Sequence, residues 1–170
     1  MKDREKQIED KFFELLEKHS IEEIDVNMIC NELHIRRQSF YYHYRNVYDL
    51  VYSIYLNKEI KCEDSNNFDC IIKSLLDFLF DDEDFNREIH ESNASDILSQ
   101  YVFSYLVRHI GELIKKENYS LDEHKDITRF ISKALAEQIL FYFSNKDYTK
   151  SDINVKINSL IKIDLSHLLY

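Results

Sequence analysis

Proline is absent from this chain of 170 residues, and glycine occurs once, as Gly111. Both residues interrupt helices and supply the tight turns of small β-folds, so their scarcity argues against a sandwich or a barrel. A single glycine also cannot build a glycine-rich phosphate loop or the nucleophile turn of a hydrolase. The sequence therefore predicts an all-α protein.

The sequence also has no apolar run long enough to cross a membrane, and it opens with the highly charged stretch MKDREKQIEDK, which does not look like a secretory signal. The three cysteines, Cys30, Cys62 and Cys70, are odd in number and lack the spacing of a metal site. This usage suits a reducing compartment. We expect a cytoplasmic protein with no membrane partner.

Catalytic and metal-binding patterns are missing as well. The seven histidines include no HExxH pair and no repeated ligand spacing. The acidic run 81–84 lacks the glycine and the spacing of a calcium loop, so it predicts a solvated turn after a helix over 69–80. We expect no enzymatic activity, no cofactor and no metal.

The formal net charge of -10 disfavours long-range attraction to a nucleic acid. Most of the acid lies late in the chain, because residues 51–170 carry 21 acidic and 14 basic side chains. Exposed charges are screened beyond about 8–10 Å at physiological salt. Acidity elsewhere would therefore weaken non-specific attraction and leave local contacts to a phosphate backbone intact.

The stretch 25–50, DVNMICNELHIRRQSFYYHYRNVYDL, has the pattern of two short helices separated by a turn at His34-Ile35, followed by a longer helix from Asn46. Residues 34–48 contain no acidic side chain, although Asp and Glu number 32 in the whole chain. Three arginines and four tyrosines lie within them. A basic, tyrosine-rich helix behind a tight turn is typical of a helix that enters the major groove of DNA.

The side chains of that second helix divide by role. Phe40 and Tyr44 are four residues apart, so they share a face that can pack inward. The first turn offers arginine, glutamine and serine, which can bond base edges, and the following tyrosines and histidine suit phosphate oxygens. The predicted DNA-binding residues are Arg36, Arg37, Gln38, Ser39, Tyr41, Tyr42, His43 and Arg45. An ordinary basic surface helix is the alternative.

This stretch resembles the DNA-binding signature of the tetracycline-repressor (TetR) family of bacterial regulators. The run FYYHYRNVYDL is similar to short Gram-positive members, among them activators of dihydroxyacetone-kinase operons. The resemblance covers about the first third of the chain and implies a helix-turn-helix followed by a helical body. The matching residues are Ile29, Cys30, Ile35, Phe40, Tyr41, His43, Tyr44 and Leu50.

Three positions depart from the family pattern. His34 occupies the turn position usually filled by glycine, where a positive φ is expected at a cost of roughly 1–2 kcal/mol for a residue with a side chain. Arg36 replaces a small capping residue and cannot cap the helix. Val47 stands where the family often has a phosphate-binding lysine. These departures affect the DNA sequence that is read more than the binding itself.

We expect two domains: a three-helix head over 1–46, and a body over 47–170 for dimerisation and effector binding. Residues 134–143 are apolar on nearly all sides, and a helix of that kind must be buried all round. A second copy of the chain can cover one side, in a four-helix interface that the resemblance also implies. A monomer that buries these helices internally is the alternative. The predicted interface residues are Leu135, Ile139, Phe143, Ile153, Ile157, Leu160 and Ile161.

The body also contains many aromatic residues that could line an effector pocket. Aromatic residues at helical spacing are more often simply core. The ligand candidates are Tyr101, Tyr105, Arg108 and His109. A separate protein partner that senses the effector is the other option, as in the dihydroxyacetone-kinase subgroup.

The sequence as a whole predicts a homodimeric transcription regulator that binds a roughly palindromic double-stranded operator. A helical interaction module with a degenerate DNA-binding motif is the alternative. Neither the operator nor the effector is specified by the sequence.

Overall fold

A computed structural model of the protein describes residues 2–115 and 120–161. Within these ranges the chain is entirely helical and contains no strand, so the all-α prediction is confirmed. No helix in the described part combines the length and apolarity needed to cross a membrane. The helices are α1 (Lys2–Leu16), α2 (Val26–Glu32), α3 (Arg37–Tyr41), α4 (Val47–Asn57), α5 (Phe68–Asp81), α6 (Glu83–Glu91), α7 (Ser95–Ile114), α8 (Leu121–Ser144) and α9 (Lys150–Ile161).

The chain divides into two compact units. Unit 1 comprises Met1–Glu59 and Glu88–Leu98, and unit 2 comprises Ile60–Arg87 and Ser99–Tyr170. Unit 1 therefore includes all of α4, whereas the head predicted from the sequence ends at residue 46. The division of roles between a head and a body stays a prediction, and residues 116–119 and 162–170 of the predicted body lie outside the described part.

Unit 1 is built on contacts of α1 with α2 and of α2 with α3. Residues 88–98 belong to unit 1 although they come later in the chain. Two hydrogen bonds, each from a backbone N–H to a carboxylate, hold them there. The Glu88 carboxylate accepts from the Ile21 N–H at 2.9 Å, and the Glu22 carboxylate accepts from the Asn93 N–H at 3.0 Å. The segment 88–98 is thus attached to the connection between α1 and α2.

Unit 2 contains α9 packed against both α5 and α8. Asp69 joins α5 to α9, because its Oδ1 accepts from Asn154 Nδ2 at 3.2 Å and from Asn158 Nδ2 at 3.0 Å. Lys73 pairs with the same carboxylate at 2.7 Å. The hydrogen bonds from Lys73 and then Asn154 lower the pKa of Asp69 below its usual value.

The acidic run 81–84 is only in part a turn. Asp82 separates two helices, and α6 begins at Glu83, a helix that the sequence analysis missed. Buried polar side chains hold this helix: Asn86 Nδ2 donates to the carbonyls of Phe78 and Leu79, which lie near the end of α5. Because these contacts are polar, the usual apolar periodicity gave little sign of them.

Candidate nucleic-acid interface

The turn between α2 and α3 has the backbone conformation that the sequence predicted. α2 begins at an Asp25 cap, whose side chain accepts from the Met28 N–H at 2.7 Å. His34 then adopts a φ of 52°, and the Ile35 N–H bonds back to the Cys30 carbonyl at 3.0 Å. The predicted positive φ at His34 is confirmed.

The inner side of α3 is anchored in the core of unit 1. Phe40 is fully buried, and Tyr44 is 5% exposed. The Tyr44 hydroxyl donates to Glu9 Oε1 on α1 at 3.1 Å. Burial, and then the neighbouring Glu9 carboxylate, raises the pKa of Tyr44 well above its ordinary value. The orientation of α3 is therefore fixed by one apolar and one polar contact.

Most of the predicted DNA-binding residues are exposed on α3 or on the residues that flank it. Tyr41 is 55% exposed and Tyr42 is 69% exposed, whereas Ser39 is half-buried. No ion pair among the described residues uses any of the three arginines of this segment. We define the α3 surface as the exposed set Arg36, Arg37, Gln38, Tyr41, Tyr42 and Arg45.

His43 is placed differently from the other predicted contacts. Its side chain is only 7% exposed, and its Nδ1 lies 3.1 Å from Glu5 Oε1 on α1. The ring also lies edge-on to Tyr42, with centroids 5.0 Å apart. The ring therefore holds the end of α3 against α1, which leaves little of the His43 side chain accessible to DNA.

Tyr48 is an exposed residue for which the sequence analysis proposed no role. It is 39% exposed and lies in the first turn of α4, next to the Asn46 cap that accepts from the Asp49 N–H at 2.8 Å. An exposed phenol at this position can donate to a phosphate oxygen. The cap residue Asn46 was the available signal, because it fixes where α4 begins and so which side chains stand at its start.

The predicted dimer residues fall into two groups. Five of them are buried within the single chain: Leu135, Ile139, Phe143, Ile153 and Ile157. A side chain already covered by its own chain has no surface left for a partner, so these five belong to the core of unit 2. Leu160 and Ile161 are 42% and 46% exposed and remain available.

Other apolar side chains of α8 and α9 are exposed instead. Phe130 and Phe141 are 76% and 64% exposed, and their separation of eleven residues returns them to one face of α8. Val155 on α9 is 62% exposed. Large exposed apolar groups are informative when several occur on neighbouring helices. We define the outward apolar set as Phe130, Phe141, Val155, Leu160 and Ile161.

Three of the four ligand candidates are used in packing. The Tyr105 hydroxyl is buried and donates to the Ile71 carbonyl at 3.1 Å. The His109 ring lies 4.4 Å from the Tyr105 ring, and the Tyr101 ring lies 5.1 Å from that of Phe78. Arg108 is exposed and lines an open groove of about 500 Å³ along α7 and α8. The groove is therefore a space beside Arg108 that a ligand can enter.

Comparison with known proteins gives a match of fold. No family model matches the chain, and no curated protein matches it significantly. Among solved structures, the dihydroxyacetone kinase operon activator DhaS is similar, with a TM-score of 0.65 and 20% sequence identity over 93% of each chain. At this level of identity the likeness shows a shared all-helical fold along nearly the whole length of both proteins.

Proposed function

We propose that the protein is a sequence-specific DNA-binding transcription regulator of the TetR type, with α2 and α3 as its helix-turn-helix. The α3 surface is the observation that carries this proposal. It combines guanidinium, amide and phenol donors on a helix that buried Phe40 and Tyr44 hold in place. Arginine can bond guanine bidentately and glutamine can bond adenine in the same way, so Arg37 and Gln38 are suited to base edges.

The remaining exposed donors suit the DNA backbone. Tyr41, Tyr42, Arg45 and Tyr48 are exposed and carry hydroxyl or guanidinium donors, which commonly bond phosphate oxygens and fix the register of a protein on a duplex. The segment 34–48 itself contributes no acidic side chain that would repel the phosphates. The same segment therefore supplies both base reading and positioning.

We infer that the protein acts as a homodimer on a roughly palindromic operator. A dimer of such readers places its two recognition helices about 34–36 Å apart, one turn of DNA. The outward apolar set on α8 and α9 supports this assembly, since it offers exposed Phe141 and Leu160 where the chain itself does not cover them. In the proposed dimer, the outward apolar set takes the place of the five buried residues that the sequence predicted at the interface.

Regulation by a second component completes the proposal. The structural neighbour is named as an operon activator, which supports activation of transcription, with repression as the alternative. An effector, whether a small ligand or a partner protein, can shift operator affinity only by binding one conformation of the dimer better than another.

Selection of bound sequences from random duplex DNA tests the proposed function. The parent protein should enrich a palindromic motif. Arg37→Ala and Gln38→Ala should each lose preference at one position of each half-site, at a cost of about 1–3 kcal/mol if the contact is bidentate. Lys18→Ala is the matched control, because Lys18 is exposed in unit 1 but lies outside the α3 surface. Absence of any enriched motif would favour an interaction module with a degenerate DNA-binding segment.

A further inference from the structure

We propose that the groove along α7 and α8 is a binding site for a small organic anion. Its volume of about 500 Å³ lies within the usual range of ligand pockets, about 300–1,000 Å³. The helices α7 and α8 both contribute residues to its walls. This proposal does not depend on DNA binding by the protein. The lining residues that carry the argument are Phe103, Val107, Arg108, Gly111, Thr128 and Arg129.

The charge of the groove is opposite to that of the chain. Four lysine and arginine residues line it against one glutamate, whereas the whole chain has a formal charge of -10. That glutamate, Glu112, already pairs with Lys115, and the hydrogen bond from Lys115 lowers the pKa of Glu112. Arg108 and Arg129 take part in none of the ion pairs formed within residues 2–115 and 120–161. These two guanidiniums therefore remain to bind an anion.

One residue that lines the groove, Thr128, has a hydroxyl without a partner among the described residues. Thr128 is 5% exposed, and its Oγ1 makes no hydrogen bond to the described residues. Its methyl group faces Gly111, where an added Cβ would lie 3.5 Å from Thr128 Cγ2. Buried hydroxyls are nearly always hydrogen-bonded, and an unpaired one is costly. If the Thr128 side chain rotates toward the groove, an anion oxygen there would accept the bond that its hydroxyl can donate.

The apolar residues that line the groove indicate the chemistry of the rest of the ligand. Phe103 and Val107 line the groove beside the cations, so an apolar portion of the ligand would be sheltered there while its acidic group meets the guanidiniums. A bond from His124 Nε2 to the Gly111 carbonyl, 3.0 Å long, ties α8 to α7 at this point. The site therefore fits a carboxylate, sulfonate or phosphate ester with an aryl or alkyl portion.

A pair of fluorescent probes tests the site. The anion 1-anilinonaphthalene-8-sulfonate and the neutral N-phenyl-1-naphthylamine share the same aromatic portion and differ in the sulfonate. The full chain should bind the sulfonate more tightly than the neutral probe. An Arg108→Gln/Arg129→Gln double variant should weaken sulfonate binding about tenfold, equivalent to about 1.4 kcal/mol, and leave the neutral probe unaffected. Lys146→Gln is the matched control, since Lys146 is exposed in unit 2 away from the groove.

Two variants of buried hydroxyls separate a binding role from a structural one. Thr128→Val keeps the side-chain shape and should raise the melting temperature without ligand, while weakening sulfonate binding. Ser132→Ala is the control, because the buried Ser132 hydroxyl also lacks a partner among the described residues but does not line the groove. It should leave binding unchanged. Equal sulfonate affinity in the parent, the double arginine variant and Thr128→Val, or no preference for the sulfonate over the neutral probe, would overturn the proposal.

Discussion

The α3 surface and the α7–α8 groove both concentrate basic side chains in an acidic chain, yet they present them in different shapes. On the α3 surface the donors are exposed on one short helix and on the residues that flank it, and the helix is anchored by buried Phe40. In the groove the cations line a cavity of about 500 Å³ together with Thr128, whose hydroxyl has no partner among the described residues. The same charge therefore suits an extended polyanion in the first case and a small anion in the second.

The largest expected effect comes from removing the anchor of α3. Phe40→Ala deletes a fully buried aromatic side chain, and such a change typically costs about 3–5 kcal/mol of folding free energy. Chemical denaturation followed by circular dichroism measures the loss. Leu56→Ala is the control, because Leu56 is 61% exposed and belongs to neither the α3 surface nor the outward apolar set, so its truncation should change stability by no more than about 0.5 kcal/mol. Similar losses for the two variants would contradict the described burial.

Assembly is the next largest effect. Leu160→Glu or Ile161→Glu would place a charge in the proposed interface, where an unpaired buried carboxylate is strongly unfavourable. Light scattering should then give a folded protein of half the parent's mass. Leu121→Glu is the matched control, since Leu121 is exposed at the start of α8 and lies outside the outward apolar set. A parent that is monomeric at micromolar concentration would refute the dimer.

The sequence predicted α3 and its turn well because local signals agree there. The positive φ at His34 and the burial of Phe40 both follow from residues within a few positions of each other. The buried and exposed faces of α8 could not be predicted, because the local sequence does not distinguish them. Its apolar residues surround the helix, so no periodicity distinguishes buried Ile139 from exposed Phe141.

The groove and α6 escaped the sequence analysis because they depend on distant residues. Thr128 lies seventeen positions beyond Gly111, and only the packing of α7 against α8 brings them together. Arg87 in α6 is buried because its guanidinium donates to the Phe143 carbonyl and lies 4.5 Å from the centre of the Phe143 ring. Contacts of this kind leave no local pattern in the sequence.

A smaller effect is expected at the turn before α3. His34 has a φ of 52°, which costs a residue with a side chain roughly 1–2 kcal/mol, and glycine avoids this cost but loses entropy on folding. His34→Gly should therefore raise stability by up to about 1 kcal/mol. His34→Val should lower it, because a β-branched residue is a poor fit for positive φ. Thermal unfolding of the pair checks the order, and a more stable valine variant would contradict the described turn.

The smallest expected effect is the contribution of His109 to the pH dependence of stability. Burial, and then the charge of Arg108, lowers the pKa of His109 below its ordinary value of 6.5. The unfolded chain then takes up this proton more readily, so the contribution of His109 to stability is present above pH 6.5 and is lost as the pH falls below it. His109→Phe keeps a ring against Tyr105 and removes the titration. Its melting temperature should fall less than the parent's between pH 7 and pH 5.5, and an equal fall would show that His109 does not contribute.

The salt dependence of duplex binding tests the central claim most directly. On a double logarithmic plot of affinity against salt concentration, each lost phosphate contact should make the slope shallower by about 0.9. We predict that Arg45→Gln flattens the slope for a duplex enriched by the parent, whereas Arg129→Gln, in the α7–α8 groove, leaves both slope and affinity as in the parent. Identical slopes for the parent and Arg45→Gln, with a flatter slope for Arg129→Gln, would contradict the assignment of DNA binding to the α3 surface.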